Sequence, residues 1–216
     1  MTQTHLTYPP PPGSEPAQIG DHPALDFLNS VLAPAGVWID FLHNGQSLVH
    51  WLSQSDVVPC AHANAAAAFT PKQLDRLAAE ARELREWFRA LVLRWLADGD
   101  RAVRAGDLRR LNAHLGGHPL SQSVERGTEG FELRMERVPG NPGALLAELA
   151  AACADLLAHR RTDEVRKCEN PSCTLFFADT KRGPRRRWCS MAVCGNRRKA
   201  AAHRSRNRPT GPGPAA

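Results

Sequence analysis

Four of the six cysteines in the 216-residue chain lie within one short stretch: "RKCENPSCTLFF" supplies Cys168 and Cys173, and "RRWCSMAVCGN" supplies Cys189 and Cys194. The spacing is C-x4-C, then 15 residues, then C-x4-C. Two thiolate pairs bracketing a connector of this length suit a tetrahedral ion, because each pair forms a knuckle and the segment between them folds back as a hairpin. Zinc is the ion most often held by four sulfurs inside cells, with iron as the minor alternative. A thioredoxin-type redox pair would need C-x-x-C, and disulfides would have to survive cytosolic reductants. A zinc deaminase would need H-x-E with P-C-x-x-C, and a zinc peptidase H-E-x-x-H; neither occurs. Four sulfurs close the coordination shell, so the expected ion is structural and the chain is not expected to be an enzyme.

Residues five apart on a helix point about 140° away from each other. Cys189 and Cys194 therefore converge only if Cys189 precedes the helix. Ser190 is then the N-cap, and Cys194 falls in the first turn, where free backbone N–H groups favour thiolate. Gly195 leaves room beside the ion, "TLFFADT" supplies a strand-like run, and Phe176 or Phe177 supplies a small core, with Trp188 packing on it. Knuckle, hairpin and helix together make a treble-clef-like finger, too small to stay folded without its metal.

The same stretch is strongly basic. From residue 160 onward the chain holds 15 Lys and Arg against 4 Asp and Glu, net +11, whereas residues 1–159 are net −5. This division is a common footprint of a nucleic-acid partner, with a solubilising basic tail as the alternative. Arg185, Arg186 and Arg187 precede the second cysteine pair, and Arg197, Arg198, Lys199, Arg204 and Arg206 lie on the helix expected after it. Some of this charge offsets the formal −2 of a four-thiolate site, and the remainder is available to phosphates. Duplex DNA is the expected polymer, with RNA the alternative through stacking of Trp188 or the phenylalanines.

The elements that must position this finger are mostly helical. "DHPALDFLNSVL" predicts a helix with Asp21 as N-cap, Pro23 in the first turn, and Leu25, Leu28 and Leu32 on one face. "GQSLVHWLSQ" predicts a second helix. Thr70 and Pro71 open a third, whose stripe runs through Leu74, Leu77, Ala81, Leu84, Phe88, Leu91 and Trp95. A short helix follows around Leu108 to Leu115. "LSQSVERGTEGFELRMERV" alternates polar and apolar residues about a glycine turn and predicts a β-hairpin. "NPGALLAELAAACADLLAHRR" predicts a last body helix with Cys153 as a buried thiol. Asp26 and Asn29, three apart on the first helix, are the candidate lining of a ligand pocket, competing with an ordinary surface pair. Cys60 and His62 form an isolated C-x-H with no partner pair nearby.

The fold class expected is a mainly α N-terminal domain with a small β-hairpin, followed by the four-cysteine finger. The domains are a disordered leader over 1–19, a helical body over 20–160, the finger over 161–207 and a disordered tail over 208–216. No stretch of about 18 consecutive apolar residues predicts a membrane span, and no export signal is visible, so the expected location is the cytoplasm.

At "WCSMAVCGNRRK" the sequence strongly resembles bacterial CGNR zinc finger proteins, the motif here being Cys194, Gly195, Asn196 and Arg197. "LDFLNS", "LVHWL" and the acidic helical body resemble the ABATE domain that usually precedes this finger, so the resemblance spans about residues 20 to 206. It implies a stress-related transcription regulator whose finger binds DNA through its basic residues. Asn196 is expected to fix a loop by hydrogen bonding rather than touch a base. A homodimer would aid sequence discrimination, and the alternative function is an adaptor docking on RNA or an acidic protein surface.

Overall fold

A computed structural model describes residues 6–33, 36–58, 63–64, 66–118, 120–128, 130–137, 141–180 and 185–206. Cys60, His62 and the tail assigned to 208–216 lie outside the described residues.

The first described element is β1 (Thr7–Tyr8), within the stretch expected to be a disordered leader. It pairs in parallel with β3, so these residues are part of the fold. Asp21 is not the helix cap. It takes a left-handed turn with φ 53°, a conformation aspartate tolerates better than most residues. The cap is His22, whose Nδ1 accepts the Ala24 N–H at 3.2 Å, with Pro23 opening α1 (Pro23–Leu28). α1 is only six residues long because polar side chains divert the backbone at its end. The Ser30 hydroxyl donates to the Phe27 carbonyl at 2.7 Å, and Asn29 is drawn away to another element. Val31 and Leu32, expected on the helix, instead form β2 (Val31–Leu32), antiparallel to β3 (Trp38–Asp40) in a three-stranded sheet ordered β1-β3-β2.

Asn44 caps α2 (Gly45–Gln54) by accepting the Ser47 N–H at 2.9 Å. Gly45 is required here, since a Cβ would lie 2.5 Å from that of Leu74. α3 (Pro71–Asp98) organises the core. It opens with a reciprocal cap between Thr70 and Gln73, and it buries Leu77, Ala81, Leu84, Phe88, Leu91 and Trp95 as the stripe predicts. Its end is closed by Gly99 at φ 72°. α4 (Ala105–Gly116) follows, then the expected hairpin, β4 (Leu120–Gly127) with β5 (Gly130–Arg137).

α5 (Pro142–His159) buries Leu145, Leu146, Leu149, Cys153 and Leu156 against α1, α3 and α4. It has the length and mean hydropathy, 1.2, of a membrane-crossing helix, which a search for an unbroken apolar run does not register. Its apolar stripe is used inside the protein core.

Inside that core sits an ion pair the apolar pattern gives no reason to expect. Arg85 reaches from α3 to β3 and grips Asp40 with both ends of its guanidinium, at 2.7 and 2.8 Å, while also donating to the Ser30 hydroxyl at 3.0 Å. Both residues are buried. Burial works against both charges, but the guanidinium overrides it and holds the Asp40 carboxyl below the usual range.

The finger is built onto this body. β6 (Val165–Lys167) and β7 (Phe176–Ala178) pair antiparallel, Val165 opposite Ala178 and Lys167 opposite Phe176. The hairpin therefore straddles the first cysteine pair. Among the described residues the hairpin lies across the first pair, Cys168 and Cys173 occupying the bend that joins β6 to β7, where the spacing predicts it between the two pairs. Phe176 and Phe177, alternating on one strand, face opposite ways: Phe176 joins the helical core and Phe177 the cysteine cluster. A one-turn π-helical segment, Met191–Gly195, then leads into α6 (Asn196–Arg206).

Candidate metal centre and basic helix

The four sulfurs of Cys168, Cys173, Cys189 and Cys194 lie within 4.8 Å of one another. Cys173 and Cys189 are 3.7 Å apart, and Cys189 and Cys194 are 3.5 Å apart. Sulfurs at the corners of a zinc tetrahedron stand about 3.8 Å apart, from zinc–sulfur bonds of about 2.3 Å. The set fits one zinc ion.

Local structure explains how C-x4-C closes. Cys189 sits before the cap, Ser190 accepts the Val193 N–H at 3.4 Å, and the Gly195 N–H bonds back to the Ser190 carbonyl at 3.0 Å. That five-residue turn is wider than an α-turn and carries Cys194 back over Cys189. In the first knuckle the Cys173 N–H bonds to the Asn170 carbonyl at 2.8 Å. Asn170, buried, also donates from its side chain to the Cys194 sulfur at 3.4 Å, and the Cys189 N–H donates to the Cys168 sulfur at 3.4 Å. Such donors stabilise the negative charge of a four-thiolate site. The bond to Cys173 and burial keep the Cys189 proton on, burial raises Cys168, and the Cys189 thiol beside Cys173 holds that sulfur low. A divalent ion bound by the four sulfurs would favour the thiolate form.

Gly195 lies beside the side chains of Met191 and Trp188. A Cβ there would meet the Met191 sulfur at 2.7 Å and the Trp188 ring at 3.3 Å, a contact that the exposed Met191 side chain can relieve by swinging aside. Trp188 packs on the cysteine cluster, with the Arg187 guanidinium 5.2 Å above its ring. Asn196 donates to the Ala192 carbonyl at 3.2 Å, a local tie within the turn.

The basic residues separate into two groups. Arg186 is held internally: it donates to the Trp188, Cys189 and Ile19 carbonyls, pairs with Asp21 and stacks 4.3 Å over Phe177. It brackets the finger against the chain before α1 and is not a freely projecting cation. Arg187 pairs with Glu169 at 2.7 Å and Arg185 with Asp163 at 3.6 Å, both at the surface. Arg197, Arg198, Lys199 and Arg204 are exposed on α6, which has no acidic residue and no apolar face. Arg206 closes the same helix.

Among the described residues, Asp26 and Asn29 make separate hydrogen bonds to different parts of the chain. Asn29 is buried, and its amide accepts the Phe176 N–H and donates to the Phe176 carbonyl, both at 2.9 Å. It completes the free edge of β7 in the manner of an additional strand residue. Asp26 accepts the Gly20 N–H at 2.8 Å, and burial raises its carboxyl to about 6. Named in the sequence as a candidate pocket edge or an ordinary surface pair, the two side chains tie down the finger, through Asn29, and the entry to α1, through Asp26. A cavity of about 310 Å³ opens elsewhere, between Ile19, Leu32, Leu175, Val193 and Arg197.

Sequence reasoning misses Asn29's tie to Phe176, Arg186's bracket and Asn170's bond to sulfur. Only the last has a legible signal, an asparagine inside the ligand loop "CENPSC".

Comparison with known families places both halves. Residues 21–160 match the ABATE family, described as "Putative stress-induced transcription regulator", and residues 164–207 match the family described as CGNR zinc finger. No protein of curated function matches the chain.

Proposed function

Because the chain belongs to the ABATE family and ends in a CGNR zinc finger, we propose that it is a cytoplasmic transcription regulator that grips duplex DNA with α6. One observation carries this reading. α6 presents Arg197, Arg198, Lys199 and Arg204 to solvent, carries no compensating acid, and starts at the turn that the four cysteines fix. A helix polar on all sides has no core to join, so a polyanion is the natural complement. Arg197 and Arg204 are seven residues apart and share a face with Ala201, whose small side chain lets a phosphate backbone approach closely.

Zinc would be held by the four cysteines and would supply rigidity. The residues of the chain do the binding: Arg and Lys of α6 meet phosphates, Arg185 and Arg187 flank the approach beside Trp188, and the acidic body turns away from the duplex. The helical body serves sensing or assembly, and the protein acts as a binder and not as a catalyst.

The test is selection of bound sequences from a random duplex pool by the intact protein, with zinc measured on the same sample. Enrichment of one sequence class, with affinity falling steeply as salt rises, supports the proposal. An unenriched pool and salt-indifferent binding overturn it, and retained binding to single-stranded RNA alone moves the finger to the adaptor class.

A further inference from the structure

Among the described residues, the β4–β5 hairpin packs mainly on itself and makes little contact with any other element. Its register, Leu120 opposite Arg137 through Gly127 opposite Gly130, sets Val124, Phe131, Leu133 and Met135 on one face. That face is open to solvent: Phe131 is 74% exposed, Val124 67% and Leu133 65%. An isolated two-stranded hairpin is marginal in water, and a bare edge beside an apolar face invites a further strand.

We propose that the outer edge of β5 docks on β5 of a second copy of this chain, antiparallel about a two-fold axis at Leu133, to make one continuous four-stranded sheet. The strand "GFELRMER" is complementary to itself in this register. Phe131 stands opposite Met135 of the second copy, Leu133 opposite its own counterpart, and Glu132 opposite Arg134. Moving the axis by one residue sets Glu132 opposite Glu132, or Arg134 opposite Arg134 and Glu132 opposite Glu136. Half-residue shifts align the apolar face of one strand with the polar face of the other. β4, reading "LSQSVERG", has no comparable register.

The backbone agrees with the side chains. Gly127 and Gly130 close the two-residue turn as a hydrogen-bonded pair, so bonded pairs alternate from there. Phe131, Leu133 and Met135 therefore turn their N–H and C=O groups away from β4. Those are the residues that the two-fold register places opposite one another, so the new seam gains a full set of ladder bonds. A two-fold contact of this kind is closed and stops at the dimer. It does not depend on whether α6 binds DNA.

The experiment follows the oligomeric state of the intact, zinc-loaded protein by sedimentation, using Glu132→Arg and Arg134→Glu. Each single change puts like charges opposite twice across the axis and is expected to weaken self-association roughly tenfold or more. Mixing the two variants restores opposite charges in both positions, so a mixed dimer is expected to form with an affinity near that of the parent. Such rescue cannot come from misfolded chains. In parallel, Leu133→Cys is expected to cross-link across the axis under mild oxidation, because directly opposed bonded residues have Cα atoms about 5.5 Å apart, while Val124→Cys stays unlinked. A parent chain that remains monomeric, a dimer indifferent to the charge changes, or cross-linking of the Val124→Cys variant in preference to the Leu133→Cys variant overturns the proposal.

Discussion

Asp40 and Arg85 show how one pair can hold three pieces of chain together. The guanidinium joins α3 to β3 and, through Ser30, to the bend after α1. Asp40→Asn leaves a buried cation without its counter-charge and is expected to cost about 3–5 kcal/mol, read as a lowered denaturant midpoint. Asp26 has the opposite sign of coupling. Its carboxyl is raised to about 6 in the folded chain, chiefly by burial, above its value when unfolded. The folded state thus binds more protons between about pH 4 and 6, and this residue's contribution to stability falls as pH rises through that window. Asp26→Asn keeps an acceptor for the Gly20 N–H but cannot ionise. The variant is expected to gain stability relative to the parent at pH 7, the difference shrinking to little at pH 4, as followed by thermal melts at both. Neither residue is legible in this role from sequence. Apolar periodicity marks where a helix faces the core, and it gives no sign that Arg85 within the stripe has a partner 45 positions away. Asp26 and Asn29 stand out in the sequence for their place beside an apolar face, as a pocket edge or a surface pair, and the sequence does not display the burial and backbone bonds by which they act as anchors.

Among elements, α3 and the cysteine quartet are legible because their signals are local. Thr70, Pro71 and Gln73 cap by neighbouring contacts, and a sulfur set needs only spacing. The short strands β1, β2 and β3 are not, since two or three residues carry no period and owe their pairing to residues far along the chain. Spacing reveals the finger as a knuckle with a helix, but it conceals how far the finger leans on the body. Val165, Phe176 and Ala178 belong to the helical core, and Asn29 bonds the edge of β7. Cys194→Ser, or chelation, is therefore expected to release only part of the finger. Hydrogen exchange should show amides of 189–206 losing protection while α3 and β7 keep theirs, with zinc stoichiometry falling well below one. Asn29→Ala removes the two bonds to Phe176 from the opposite side and is expected to cost about 2 kcal/mol or more, with faster exchange at β7.

At the scale of the molecule, the proposed grip on duplex DNA rests on the separation of charge. The region from residue 160 is net +11 and the remainder net −5. Replacing Arg197 and Arg204 together by alanine is expected to lower duplex affinity at low salt and to flatten the logarithmic salt dependence by about two, one for each phosphate no longer neutralised. Titration of the intact chain over a range of potassium chloride concentrations gives the slope directly. Arg186→Ala should act differently, through the stability of the finger with the slope nearly unchanged, because its charge is already engaged with Asp21 and backbone carbonyls.

One practical consequence concerns where the chain can be cut. A fragment starting at residue 161 would bring Val165, Phe176 and Ala178 into water with nothing to cover them, and the helical fragment left behind would have a gap where those side chains sat. Studies of the basic helix in isolation would then measure a damaged object, and a grafted finger would need Asn29 and the α1 surface carried along with it.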